Sequence, residues 1–148
     1  MKTVFDKVVR DDLIARINSL NENNTPQWGK MNVYQMLKHC TLAEEMYLGK
    51  VHYKRTLLGR IFGKMALKGL LKDETPMSHN APTSSHFIVT EPGGDVPAQK
   101  QQWAGLIEEY SNFSQPEIEH WFFGRMSKEQ IGLFVYKHTD HHLRQFGV

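Results

Sequence analysis

The chain has 148 residues, 40% of them hydrophobic and 23% charged, with a net charge of +2. That balance belongs to a folded globular protein; it excludes a disordered charged tail and the strongly basic surface of a nucleic-acid binder. Its one cysteine, Cys40, excludes an internal disulfide and fits a reducing compartment.

A first helix is predicted over about 4–20, where Phe5, Val8, Val9, Leu13, Ile17 and Leu20 recur at spacings of three and four. The stretch NENNTPQWG cannot continue it. A second helix is predicted to open at Asn32, with Gln35 three residues on as its capping-box partner, and to run to Tyr47 or Gly49. Residues 56–72, TLLGRIFGKMALKGLLK, form a weaker stretch whose three glycines each cost a helix about 1 kcal/mol. Residues 74–97 read as a long connection, with SHFIV as a short extended piece. A third helix is predicted over about 97–113 from the stripe Trp103, Leu106, Ile107, Tyr110 and Phe113. A fourth follows Ser127, whose box partner is Gln130, and ends at Gly147. These elements predict a single domain over 1–148, all-α, a four-helix bundle with a long connection between the second and third helices.

The segment 50–72 carries seven Lys or Arg and no acid. Its cations drift around the helix, so that Lys68 and Lys72 fall on the side of Leu57, Ile61 and Met65. This argues for a solvated exterior and against a membrane surface. No apolar run reaches the about 20 residues of a membrane span, and MKTVFDKVVRDD lacks a signal-peptide core, so a cytoplasmic location is expected.

The last helix carries KHTDHHLRQF, three histidines in five positions. At about 100° per residue, His138 and His142 lie one turn apart on the face of Ile131, Phe134 and Val135. His141 falls at the margin of that face, and Asp140 points away from it. An H-x-x-x-H pair offers two nitrogens to one metal ion, but a catalytic zinc needs three protein ligands. His39 shares the apolar side of the second helix with Met36, Ala43 and Met46, and supplies the candidate third. Cys40, about 100° around from His39, reads as a small core residue. By position, Gln145 and Gln35 are candidates to orient His142 and His39. Trp28, Trp121, Phe122 and Phe123 read as packing at the helix entries or as a pocket wall. His120 is a loop residue without a partner, and His52, His79 and His86 read as surface residues.

The segments WGKMNVYQMLKHC (28–40) and WFFGRMSKEQIGLFVYKHTDHHLRQFG (121–147) resemble the two signatures of the DUF1569 family, within the DinB/YfiT-like superfamily of metalloenzymes. The resemblance implies an up-down-down-up arrangement of the four helices. It implies a divalent metal, nickel or zinc, held by His39, His138 and His142. His141 completes the family's double-histidine pattern outside that triad and is kept as a supporting candidate. Characterised relatives in the superfamily include thiol transferases acting on electrophiles. The expectation is therefore a divalent-metal-dependent enzyme that activates a water or a thiol, of thiol S-transferase or hydrolase type, on a small-molecule substrate. The alternative is a non-enzymatic bundle that binds a small ligand or metal. A homodimer is compatible with either.

Overall fold

The computed structural model describes residues 1–148. Helix α1 spans Lys7–Ser19, α2 Val33–Tyr47, α3 Leu57–Leu70, α4 Val96–Glu109 and α5 Lys128–Gln145. Between α4 and α5 lie two strands, β1 (Glu117–His120) and β2 (Gly124–Ser127). No helix is long and apolar enough to cross a membrane.

The two capping boxes form as their sequences predict. Asn32 accepts from the Gln35 amide while the Gln35 side chain accepts from the Asn32 amide, and Ser127 and Gln130 do the same at α5. Both helices that carry the clustered histidines thus have fixed starting points. Helix α1 begins later than its periodicity suggests. Asp6 caps it, and Val4 and Phe5 before it form a turn, with the Asp6 amide bonded to the Thr3 carbonyl and the Val4 amide to the Gly132 carbonyl of α5.

Helix α4 packs on α1 and α2, and α5 packs on α1 and α2. The side chains between them, among them Leu13, Ile17, Met36, Leu37, Trp103, Ile107, Ile131 and Val135, are almost wholly shielded from solvent.

Further expectations are corrected. The chain is mostly helical but not all-α: EIEH and GRMS pair antiparallel, from Glu117 opposite Ser127 to His120 opposite Gly124. Gly124 closes their turn at φ +75°, in the left-handed region where glycine carries no penalty. The glycine-rich stretch is a full helix, α3. Its Gly59 and Gly63 lie against the backbone at Phe122, where a Cβ on Gly59 would meet the carbonyl oxygen at 2.5 Å. The glycines cost helix propensity and gain this close approach to the hairpin turn. Finally, SHFIV is extended only from Ile88: Ser85–Phe87 is a 3₁₀ turn that packs on α2. Helix α4 likewise ends at Glu109, and a second 3₁₀ turn covers Tyr110–Asn112.

Candidate metal centre

His39 on α2 and His138 and His142 on α5 meet where the two helices pack. Each is buried, and one ring nitrogen from each falls within a group whose members all lie within 4.8 Å of one another. The ring centroids are 4.7 Å apart for His138 and His142, 4.9 Å for His39 and His142, and 5.7 Å for His39 and His138. The one-turn spacing stacks the α5 pair, and α2 brings the third ring to face it.

Two of the rings are held in one tautomer. His39 Nδ1 lies 2.9 Å from the Phe87 carbonyl oxygen, so Nδ1–H donates and the Nε2 lone pair is left over. His142 Nδ1 donates in the same way to Gln145 Oε1 at 2.9 Å. The Gln145 amide is itself oriented, because its Nε2 donates to the Trp28 carbonyl at 2.8 Å. The long connection, through Phe87, and the segment before α2, through Trp28, therefore each fix one imidazole. His138 differs. Its Nδ1 is buried and has no hydrogen-bond partner, an arrangement that costs about 1–3 kcal/mol.

Burial is the leading influence on all three rings and lowers their pKa, well below the ordinary histidine range for His138 and His142. The rings also disfavour one another's charge. Neutral imidazole is the form that binds metal. Nitrogens on one tetrahedral zinc ion stand about 3.4 Å apart, given bonds of about 2.1 Å. The candidate nitrogens all lie within 4.8 Å of one another, near enough for small side-chain movements to bring them onto one ion. The donor set, its protonation and the unpartnered His138 nitrogen fit a divalent ion.

The remaining candidates are distributed differently. Gln145 supports His142 directly. Gln35 touches no histidine of the triad: its Nε2 donates to the Val89 and Glu91 carbonyls, tying the start of α2 to the long connection. His141 stays outside the group. Its ring lies 5.5 Å from Trp28 and 6.2 Å from His79, at a cavity of about 450 Å³ that those three residues line with Met77 and Arg144. Trp28 and His79 stack at 3.8 Å, which takes His79 out of the set of unengaged surface residues. A smaller cavity, about 150 Å³, lies between Lys2, Asp73 and Lys137, and neither cavity is lined by a residue of the triad. Cys40 is fully buried against Met36, and burial raises its thiol pKa, which keeps it protonated.

His120, expected in a loop and without a partner, ends strand β1 and has two backbone partners. It is buried, its Nδ1 accepts from the Phe122 and Phe123 amides at 3.0 and 3.1 Å, and its proton therefore sits on Nε2. Burial pushes its pKa down to about 3, so the ring stays neutral. It stacks between Phe123 and Tyr47, and Tyr47 meets the His138 ring edge-on at 5.6 Å. The alternation in EIEH, which puts His120 on the buried side with Ile118, was the available signal.

A family model described as "Protein of unknown function (DUF1569)" matches residues 5–147. No curated protein and no solved structure matches the chain.

Proposed function

We propose that this chain, which belongs to the DUF1569 family, is a divalent-metal-dependent enzyme of thiol S-transferase or hydrolase type, with His39, His138 and His142 as the metal ligands. The observation that carries the reading is the convergence of three neutral, buried imidazoles from two helices, two of them with Nδ1 already committed as a donor. A nickel or zinc ion bound there would act as a Lewis acid and lower the pKa of a water or thiol at neutral pH.

The protein's own groups define the rest. Phe87 and Gln145 hold two ligands in the metal-binding tautomer. His120, neutral and enclosed by Tyr47, Phe123 and Phe134, packs behind the His138 ring and does not titrate near pH 7. Cys40 is enclosed and protonated, so a thiol taking part in the reaction belongs to the substrate. The cavity beside His141 and Trp28 is lined by none of the three ligands, but His141 adjoins His142 in the chain, which makes this cavity the candidate approach for that small molecule. The same reading takes the four core helices as the up-down-down-up arrangement of the DinB/YfiT-like superfamily and expects a cytoplasmic protein.

The test is metal content by mass spectrometry on purified wild type and on His39→Ala and His142→Ala. One equivalent of nickel or zinc is expected in the wild type and none in either variant. Stoichiometric metal in both variants refutes the triad. Zinc- and nickel-loaded protein would then be assayed for thiol conjugation to an electrophile and for ester hydrolysis.

A further inference from the structure

Five of the largest exposed apolar side chains of the molecule lie on one helix. On α3, Leu57 is 78% exposed, Leu58 64%, Ile61 69%, Phe62 47% and Met65 69%. The buried positions of the same helix are Gly59, Gly63 and Leu67. The helix thus turns its small residues inward, onto the hairpin turn at Phe122, and its bulky residues outward. A solvent-facing helix ordinarily does the reverse. A contiguous exposed apolar arc of this kind marks an interaction surface.

The charge of the stretch indicates what covers it. No Asp or Glu occurs between Lys50 and Lys72. The ion pairs of the stretch lie at its two ends, Lys50 with Glu109 and Lys72 with Asp73. Lys54, Arg60, Lys64 and Lys68 are left without a carboxylate, and of these Lys64 donates to the Arg125 carbonyl of β2. At about 100° per residue, Arg60 and Lys64 fall along one flank of the arc formed by Leu57, Leu58, Ile61, Phe62 and Met65. Lys68 sits in the last turn, where its stem can lie along the apolar surface with the ammonium extended outward. Lys72 lies beyond the end of α3, so the drift of the cations does not interrupt the apolar arc over the first turns.

We propose that α3 docks the protein on an anionic lipid surface, with Leu57, Ile61, Phe62 and Met65 entering the headgroup–acyl boundary and Arg60 and Lys68 meeting lipid phosphates. An apolar face with a basic flank on a helix too short to span is the pattern of an interfacial helix. The cytoplasmic leaflet supplies the matching negative potential. A second copy of the chain is the poorer occupant, because two α3 faces brought together would oppose cations with no acid in the segment to pair them. The inference does not depend on the histidine triad.

Co-sedimentation tests it, with vesicles of equimolar phosphatidylglycerol and phosphatidylcholine against pure phosphatidylcholine at 0.15 M salt. Wild type is expected to pellet with the anionic vesicles and to remain in solution with the neutral ones. Ile61→Ser with Met65→Ser abolishes pelleting. Arg60→Gln with Lys68→Gln lowers the partition coefficient about 25-fold, from about five-fold for each cation. The altered side chains face solvent, so the thermal unfolding midpoint is unchanged. Wild type that ignores anionic vesicles overturns the proposal without recourse to any variant, as does pelleting that all four substitutions leave intact. A dimer in sedimentation equilibrium that Ile61→Ser with Met65→Ser dissociates, without vesicle binding, gives the face to a second copy and overturns it as well.

Discussion

Glu44 is the one acidic side chain fully enclosed by the core. It lies on α2, with Tyr110 donating to Oε2 at 2.6 Å and Thr139 donating to Oε1 at 3.3 Å. The Trp103 indole approaches it without reaching hydrogen-bond geometry. Burial outweighs these contacts and raises the carboxyl from its ordinary 4.5 to about 8. Such a group holds a proton in the folded chain at pH values where the unfolded chain has released it. Its contribution to stability is therefore complete below pH 4.5, falls by about 1.4 kcal/mol per unit between about pH 5 and 8, and is lost above that. Across the window this amounts to about 5 kcal/mol, comparable to the whole stability of a small domain. Glu44→Gln keeps an acceptor for Tyr110 and removes the titration. Urea unfolding of chelator-treated wild type and variant from pH 5 to 9 reads the difference directly. At about 2 kcal/mol/M the variant gains about 2 M in midpoint relative to wild type between pH 5 and 8. The buried histidines act in the opposite direction, since their lowered pKa values make stability rise with pH through about 6.5. They are present in both proteins and cancel in the difference. Parallel profiles for the two proteins would refute a neutral Glu44.

Gln145→Leu leaves His142 Nδ1 without an acceptor and frees the tautomer; metal affinity is expected to fall about 10–100-fold, read by competition with a chelator. Gly63→Ala would drive a Cβ into the Phe122 carbonyl oxygen and is expected to destabilise the protein by about 1–3 kcal/mol in thermal unfolding. Gly69→Ala has no neighbour within 4 Å and is expected to stabilise by up to about 1 kcal/mol, which separates crowding from helix propensity.

What could be read from the sequence was what depends on local spacing. Asn32 with Gln35 and Ser127 with Gln130 fixed two helix starts, and the turn-to-turn stacking of His138 and His142 followed from α5 alone. The pairing of His39 with them needed two helices in register, and it was reached through the apolar face of α2 and the family resemblance. The hairpin escaped because its strands have four residues each and its turn, WFFG, is apolar. Glycine count argued against α3 because propensity ignores the backbone at Phe122 that Gly59 and Gly63 accommodate. Gln35 was assigned to His39 by position along the helix, but its amide is already committed to the carbonyls of Val89 and Glu91. Glu44 and His120 look ordinary in sequence; only the side chains around them from other elements make them unusual.

The buried ionisable groups of the core share one tendency. Burial drives His39, His138 and His142 toward free base and Glu44, Cys40, Tyr47 and Tyr110 toward free acid. Asp140, on α5 beside the triad in sequence, is committed to Arg16 at 2.9 Å and Arg144 at 2.7 Å. The interior around the triad therefore provides nitrogen donors ready to bind but no negative charge. A divalent ion on three neutral imidazoles keeps its full charge in a medium of low dielectric, where an unpaired charge is costly. If the proposed ion binds there, the group that completes the site would be favoured as an anion. With the proposed metal bound, this would favour groups that ionise on binding, a thiol to thiolate or a water to hydroxide, over groups that stay neutral, and it suits both reaction types proposed for the site.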